Sequence, residues 1–462
     1  MPVLYELDGA KRVLRPLTAG ASSVPKLFST SLTNNVVVFQ KVNPLFMPQS
    51  TQSFRLSNGL LVVVEPMQDV QSAAATLLVP AGGVFDAVGR CGTAAILTEM
   101  FTRGAGGLSA REQSAAMDNL GLQRNAYVGN GHITFSAATT ADRIIDALPL
   151  IGNMLTAPHL SDDDFDPARD LVEQGLMSME DEPRQRLGKV LRQYSYAAPW
   201  GNSAEGELSD LSSITIDDVR SHYQKFIRPN EAILGIAGNV NIDEIRNAIE
   251  ASLGAWKSGD VSEVMAGDLP QSPHHIEHDS AQTHIGLAWD TVPYCHERYY
   301  DAWAAVSLLS GGMSSRLFTE VRERRGLCYA ISASLSTLRD EGRVFAYAGT
   351  TTERAQETLD VTVAEIQRLP EGITEDELQR CKARAKSSLI MQQESTTSRS
   401  SSLARDMYHL GRVVTLDEIN ARINALTTSQ VREFAIEYAP KAMVLVTIGP
   451  QELNPACVTA LG

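Results

Sequence analysis

A chain of 462 residues exceeds what one ordinary hydrophobic core fills and suits about two to four domains. Its hydrophobic and charged fractions, 43% and 21%, are those of a globular protein. The net charge of -15 disfavours nonspecific binding to nucleic acid or anionic membranes and would suit a cationic peptide. The five cysteines, Cys91, Cys295, Cys328, Cys381 and Cys457, are scattered without a C-x-x-C pair, and no apolar run approaches the roughly 18 residues of a membrane helix. The expectation is a cytoplasmic protein with reduced thiols and no membrane span.

In chain order, residues 1–50 come first as an N-terminal extension with no counterpart later in the sequence. They read either as an arm packed on the body or as a partly disordered tail. Met1 to Arg15 carries Glu6 and Asp8 and lacks an apolar core, which argues against a signal peptide or organelle presequence. From Phe54 onward the chain settles into short apolar runs. Leu60–Glu65, Ala73–Val79 and His132–Ala137 read as strands, and Ile144–Leu155 and about 170–180 as helices. A capped helix opening at Ile214 leads to Ile233–Gly238, an apolar run ending in Gly that reads as a central strand.

The same order returns about 212 residues later. Thr140-Ala141-Asp142-Arg143 matches Thr351-Thr352-Glu353-Arg354, and each opens a segment of helical period. Ser161-Asp162-Asp163-Asp164-Phe165 matches Thr374-Glu375-Asp376-Glu377-Leu378, each a helix start with acids in its first turn. Ile214 to Arg220 matches Leu426 to Arg432, and Met443–Gly449 then repeats the central strand. Thr283–Trp289, Ala330–Leu335 and Arg343–Ala348 complete the second set of strands. Ser258 to Ser280, rich in Asp, Glu, Pro and Ser, reads as a linker. The expected fold is α+β: two homologous domains, 51–257 and 281–462, joined by 258–280. Each is a mixed or antiparallel sheet flanked by helices, and the two face each other across a cleft.

Three stretches carry a family resemblance. Phe54-Arg55-Leu56-Ser57-Asn58-Gly59-Leu60 resembles the "LxNGL" opening of the pitrilysin metallopeptidases, whose short members include processing-peptidase subunits and respiratory core proteins. Gly311-Gly312-Met313-Ser314-Ser315-Arg316-Leu317-Phe318, continuing through Glu320 to Tyr329, resembles that family's C-domain signature. Gly92-Thr93-Ala94-Ala95-Ile96-Leu97-Thr98-Glu99-Met100 resembles its zinc helix, G-x-A-H-x-x-E-H-M, with the chemistry removed. The two histidine positions fall on Ala95 and Glu99 and the general base on Thr98. The distal glutamate position falls on Gly175, and Glu173 lies on nearly the opposite side of that helix. A catalytic zinc needs three protein ligands and an open position for water, so this chain is expected to hold no metal or other cofactor.

The resemblance implies more where the motif is intact. Arg322 and Tyr329, seven residues apart, occupy positions that in the family bind the substrate backbone and stabilise an oxyanion, as two donors can. Asn125, Ala126 and Tyr127 match the edge strand on which the family lays a peptide. The implied function is a noncatalytic, substrate-binding subunit, inert alone. Its partners would be a peptide and a homologous chain that carries H-x-x-E-H and the zinc. The alternatives are a structural scaffold like the respiratory core proteins, or an adapter presenting peptides in cofactor maturation. His274-His275-Ile276-Glu277-His278 spells H-x-x-E-H literally, but it follows Pro270 and Pro273 in the linker. In an extended segment its outer histidines would lie about 13 Å apart, too far to share a metal.

Overall fold

The computed structural model describes residues 50–459 apart from 261–263 and 271, and, before residue 50, only 3–7, 14–16, 28–33 and 36–41. Residues 1–50 and 51–462 are separate compact units. In the first, β1 (Val3–Leu7), β2 (Leu14–Pro16), β3 (Phe28–Thr33) and β4 (Val36–Lys41) form an antiparallel sheet in the order β2-β1-β4-β3. The extension therefore carries a sheet of its own, which its sequence did not announce. The residues connecting these strands, and part of the expected linker, lie outside the described set.

The second unit begins with β5 (Gln52–Arg55), β6 (Leu61–Pro66) and β7 (Ser72–Val79), followed by α1 (Thr93–Met100). A small hairpin, β8 (Gly104–Ala105) and β9 (Leu108–Ser109), leads to α2 (Ala110–Asn119). Ser109 and Glu112 start α2 with a capping box, each side chain bonding the other's backbone N–H. After β10 (Gln123–Val128) and β11 (Ile133–Thr140) come α3 (Ile144–Thr156), α4 (Asp162–Asp181), α5 (Pro183–Ser195) and the single turn α6 (Leu208–Leu211). Helix α7 (Ile216–Phe226) is capped by Thr215 and Asp218; β12 (Ile233–Gly238) and α8 (Ile242–Leu253) follow. The strands form one sheet in the order β10-β11-β7-β12-β6-β5, antiparallel throughout except for the pair β12–β6.

The second half comprises β13 (His274–Glu277), β14 (Gln282–Thr291), α9 (Tyr299–Ser310) and a π-helical turn at Phe318–Arg324. Then come β15 (Cys328–Thr337), β16 (Gly342–Thr351), α10 (Ala355–Gln367) and α11 (Glu375–Gln393). The chain ends with α12 (Thr396–Leu410), α13 (Leu416–Ala425), α14 (Thr428–Glu437), β17 (Val444–Gly449) and α15 (Ala456–Thr459). Its sheet runs β15-β16-β14-β17-β13, again with a single parallel pair, β13–β17. Read from β10 and from β15, the two sheets have the same strand succession and the same place for the parallel pair. The matched units α7–β12 and α14–β17 are those expected from the repeat. The literal H-x-x-E-H string is not linker as the sequence suggested: His274–Glu277 is β13, the counterpart of β6.

A layer absent from the sequence reading completes the unit. The central strands are buried along consecutive residues, all of Ile233–Gly238 and Val62–Glu65, so both faces of the sheet are covered. One face packs on helices of its own half. The other is covered by a helix from the opposite half, α12 on β7 and β12, and α5 on β14 and β17. These two helices are themselves counterparts in the repeat, so the halves exchange equivalent elements. Leu403 packs with Val63 and Ala237; Leu187 and Leu191 pack with Ala288, Val446 and Ile448. Arg399 of α12 donates to both carboxylate oxygens of Glu65, at 3.2 and 2.5 Å, with both side chains buried. Gly235 lets the α12 backbone approach: a Cβ there would lie 2.3 Å from the Ser400 carbonyl oxygen.

Candidate functional site

Helix α1 starts on Gly92, at φ +119°, where a Cβ would also lie 2.9 Å from the Leu211 side chain. The Asp86 carboxyl group caps the start, accepting from the backbone N–H of Gly92 at 2.8 Å and of Ala94 at 2.9 Å. His222 of α7 faces Asp86 across 3.5 Å, and its other ring nitrogen donates to the Ala81 carbonyl at 2.9 Å. Both side chains are buried. Burial pushes the Asp86 carboxyl up to about 7 and the His222 imidazole down to about 4, so between about pH 4 and 7 the carboxyl holds a proton and the imidazole is neutral.

The four degenerate zinc positions do not fit a catalytic metal. Ala95 presents a buried methyl group. Thr98 is buried and spends its hydroxyl on the Ala94 carbonyl, 2.8 Å away. Gly175 sits exposed on α4, where a Cβ would meet nothing within 4 Å. Only Glu99, half-buried, keeps a carboxylate. No group of three or more His, Cys, Asp or Glu able to hold a metal occurs among the described residues.

Among the described residues, strand β10 pairs with β11 alone and forms the edge of its sheet. Asn125 is exposed, Ala126 half-buried, and Tyr127 is 49% exposed. Between this strand, the sheet and helices α1, α2, α3 and α8 lies a cavity of about 290 Å³. Thr98, Glu99, Asn125 and Ala126 all line it, so the structure brings part of the degenerate zinc helix and part of the edge strand to one space. Ala95, Gly175 and Tyr127 do not line it.

Arg322 and Tyr329 lie in the second half, and both are exposed. Arg322 is on the π-helical turn, a rare local geometry, with its guanidinium 4.8 Å from the centre of the Phe318 ring. Tyr329 is the extra residue of the bulge between Cys328 and Ala330 that starts β15. Cys328, buried between the two, has its thiol pushed up to about 11 by burial, opposed by the Arg322 charge. Around Tyr329 are residues the sequence did not single out. The Tyr347 hydroxyl bonds His284 Nδ1 at 2.9 Å, and the Arg184 guanidinium stacks 4.6 Å over the Tyr347 ring. A Cβ on Gly349 would meet both the Tyr347 hydroxyl and the Tyr329 ring. Burial raises the Tyr329 and Tyr347 hydroxyls above their ordinary range, so both are neutral donors. Strand alternation places Tyr347 and Gly349 on one face, but Arg184 comes from α5 and has no local signal.

The β13 histidines are engaged singly. His274 stacks on Tyr194 with ring centres 4.7 Å apart, and His275 Nδ1 bonds the Thr447 hydroxyl at 2.8 Å.

Residues 61–207 match the profile of the insulinase family, peptidase family M16, and residues 213–385 match that of the peptidase M16 inactive domain. An uncharacterized zinc protease, YmxG, of Bacillus subtilis is 27% identical, over 87% of this chain and 99% of its own length. An uncharacterized zinc protease of Rickettsia felis is 25% identical, over 88% and 100%. The fold is shared with the peptidase M16 inactive domain of Pseudomonas fluorescens (TM-score 0.80, 20% identity, 88% of this chain and 99% of that one). It is also shared with a chain of complex III2 from Candida albicans (TM-score 0.75, 19% identity, 86% and 96%). With both profiles falling in order on one duplicated fold, and with Ala95 and Thr98 standing where its zinc helix would carry a histidine and the base, the chain belongs to the M16, pitrilysin-type peptidase family as a member lacking the zinc motif.

Proposed function

We propose that this protein is the noncatalytic, peptide-binding subunit of a two-chain zinc peptidase. The observation that carries the reading is an asymmetry. Two of the three ligand positions and the base position are blank, whereas Arg322 and Tyr329 are both present and exposed, on a π-helical turn and at a bulge. A peptide adds to the free edge of β10, where main-chain bonds give affinity without demanding one sequence. The zinc and its activated water come from a homologous partner chain. Arg322 and Tyr329 reach that centre and donate to the carbonyl oxygen as it becomes an oxyanion. Donors of this kind act only as the charge develops, so they raise turnover more than affinity.

The test is reconstitution. A tagged copy is purified from its own cells with any homologous chain bearing H-x-x-E-H, and cleavage of a quenched fluorescent peptide library is followed. We expect no cleavage by this chain alone and cleavage by the pair. Arg322→Ala or Tyr329→Phe should lower kcat by about 10²–10³ with assembly unchanged on gel filtration. Chelator-sensitive cleavage by the isolated chain would overturn the reading. Wild-type rates in both assembled variants would also overturn it and favour a scaffold role, the reading suggested by the fold shared with a complex III2 chain.

A further inference from the structure

In the second half, a pocket of about 280 Å³ opens between α9, α11 and the loop of residues 311–315. It stands where the repeat would put the metal site of the first half. At the offset of about 212 residues, Ala95 and Glu99 fall on Ser307 and Gly311, both on the pocket wall. Gly175 falls on Ser387, next to Ser388, which also lines the pocket. Neither serine nor glycine supplies the imidazole or carboxylate that a zinc site takes. The polar part of the wall is built instead from guanidinium groups and hydroxyls, which suit a ligand of the opposite charge.

Helix α11 brings Arg380, Arg384 and Ser388 to one face, because successive members are four residues apart. The carboxylate on the wall, Glu377, is already engaged: Arg316 donates to its two oxygens at 2.8 and 3.1 Å. Arg380 pairs with Asp376 through one nitrogen. Arg384 is exposed and has no ion-pair partner among the described residues, in a chain whose net charge is -15. Its guanidinium lies against the loop rather than standing free in water: a Cβ on Gly312, at φ +153°, would come within 2.7 Å of Arg384 Nη1. The hydroxyls of Ser314 and Ser388, both exposed, have no hydrogen-bond partner among the described residues. An accessible, uncompensated guanidinium beside free hydroxyls is the donor set of an oxyanion site, since the fork gives two parallel N–H bonds to one phosphate and the hydroxyls supply more.

We infer that this pocket is a binding site for a tetrahedral oxyanion, either free phosphate or a small phosphate monoester, held by Arg384 with Ser314 and Ser388. Its volume is near the lower end of ligand pockets, with room beside the phosphoryl group for a small substituent against Trp303. The inference is independent of the peptide-binding proposal, and its test uses neither a peptide nor a partner chain.

Inorganic phosphate and phenyl phosphate serve as probes, with chloride at equal ionic strength as the reference. Calorimetric titration of the purified full chain should show saturable binding of phosphate with Kd of about 1 mM or tighter, and none of chloride. Arg384→Gln should weaken binding by about tenfold or more, since it removes a charge-assisted pair of hydrogen bonds. Lys386→Gln makes the same charge change on the same helix but outside the pocket, and should weaken binding less than about twofold. Ser388→Leu, which fills the pocket from α11, should abolish binding of both probes. Weaker binding of phenyl phosphate than of phosphate assigns the site to the free ion; equal or tighter binding assigns it to a monoester. Absence of saturable phosphate binding, equal losses in Arg384→Gln and Lys386→Gln, or undiminished binding to a folded Ser388→Leu chain would each overturn the inference. If a variant fails to fold, the comparison of phosphate with chloride on the wild-type chain decides it.

Discussion

At the scale of the residue, the pair Asp86–His222 makes a testable statement about pH. Folded Asp86 keeps its proton up to about 7, whereas an unfolded aspartate loses it near 3.8, so folding takes up a proton in that window and stability falls as pH rises through it. Folded His222 stays neutral down to about 4, whereas an unfolded histidine is protonated below 6.5, so folding releases a proton and stability falls as pH drops through that window. Between about pH 4 and 6.5 the two effects cancel, because folding only moves one proton from imidazole to carboxyl. Each single variant should expose the other slope, up to about 1.4 kcal/mol per pH unit. Asp86→Asn should lose stability as pH falls from 6.5 towards 4, and His222→Gln should lose it as pH rises from about 4 to about 7. Urea unfolding curves across this range test both, and parallel pH profiles for the two variants would refute the shared-proton account.

At the scale of the element, the exchanged helices are held by different means. A Cβ on Gly235 would meet the Ser400 carbonyl at 2.3 Å and the Ala404 nitrogen at 3.1 Å, both backbone atoms of α12, so the whole helix must move. The three atoms nearest a Cβ on Gly286 would be side-chain atoms of Leu187 and Leu191, at 3.1–3.3 Å, which can turn aside. We expect Gly235→Ala to cost about 1–3 kcal/mol and Gly286→Ala less than about 1 kcal/mol. Denaturant midpoints would show this, and an equal or reversed order would mean α12 is not held by that close approach. The same pair of helices marks where the sequence stopped being informative. The strands announced themselves because Val62–Val64 and Ile233–Gly238 are unbroken apolar runs, and the blank zinc helix because Ala95, Thr98 and Glu99 are read directly against a motif. Helix α5 offers little beyond Leu187 and Leu191 as an apolar stripe. Helix α12 buries Arg399 and Ser400, residues that look solvated until Glu65 and Thr76 are seen against them. The cavity beneath β10 was equally hidden, because it arises where four helices fail to close on the sheet rather than from any run of residues.

At the scale of the whole molecule, the exchange makes the two halves of the 51–462 unit depend on each other. A fragment of residues 51–260 lacks the helix that covers Val63 and Ala237, and leaves its own Leu187 and Leu191 without a sheet. We expect this fragment to be insoluble when produced alone and to become soluble when co-produced with residues 264–462. Sedimentation after lysis tests this; a soluble, cooperatively unfolding fragment would show that the exchanged helices are dispensable. The arrangement also sets a timetable for synthesis. Arg399 follows its partner Glu65 by 334 residues. At roughly 5–20 residues per second, β12 leaves the ribosome on the order of ten seconds or more before α12 exists to cover it. During that interval the first sheet stands with one apolar face bare. Slower translation between the two segments therefore lengthens the chain's most aggregation-prone moment without changing a single residue of the finished protein.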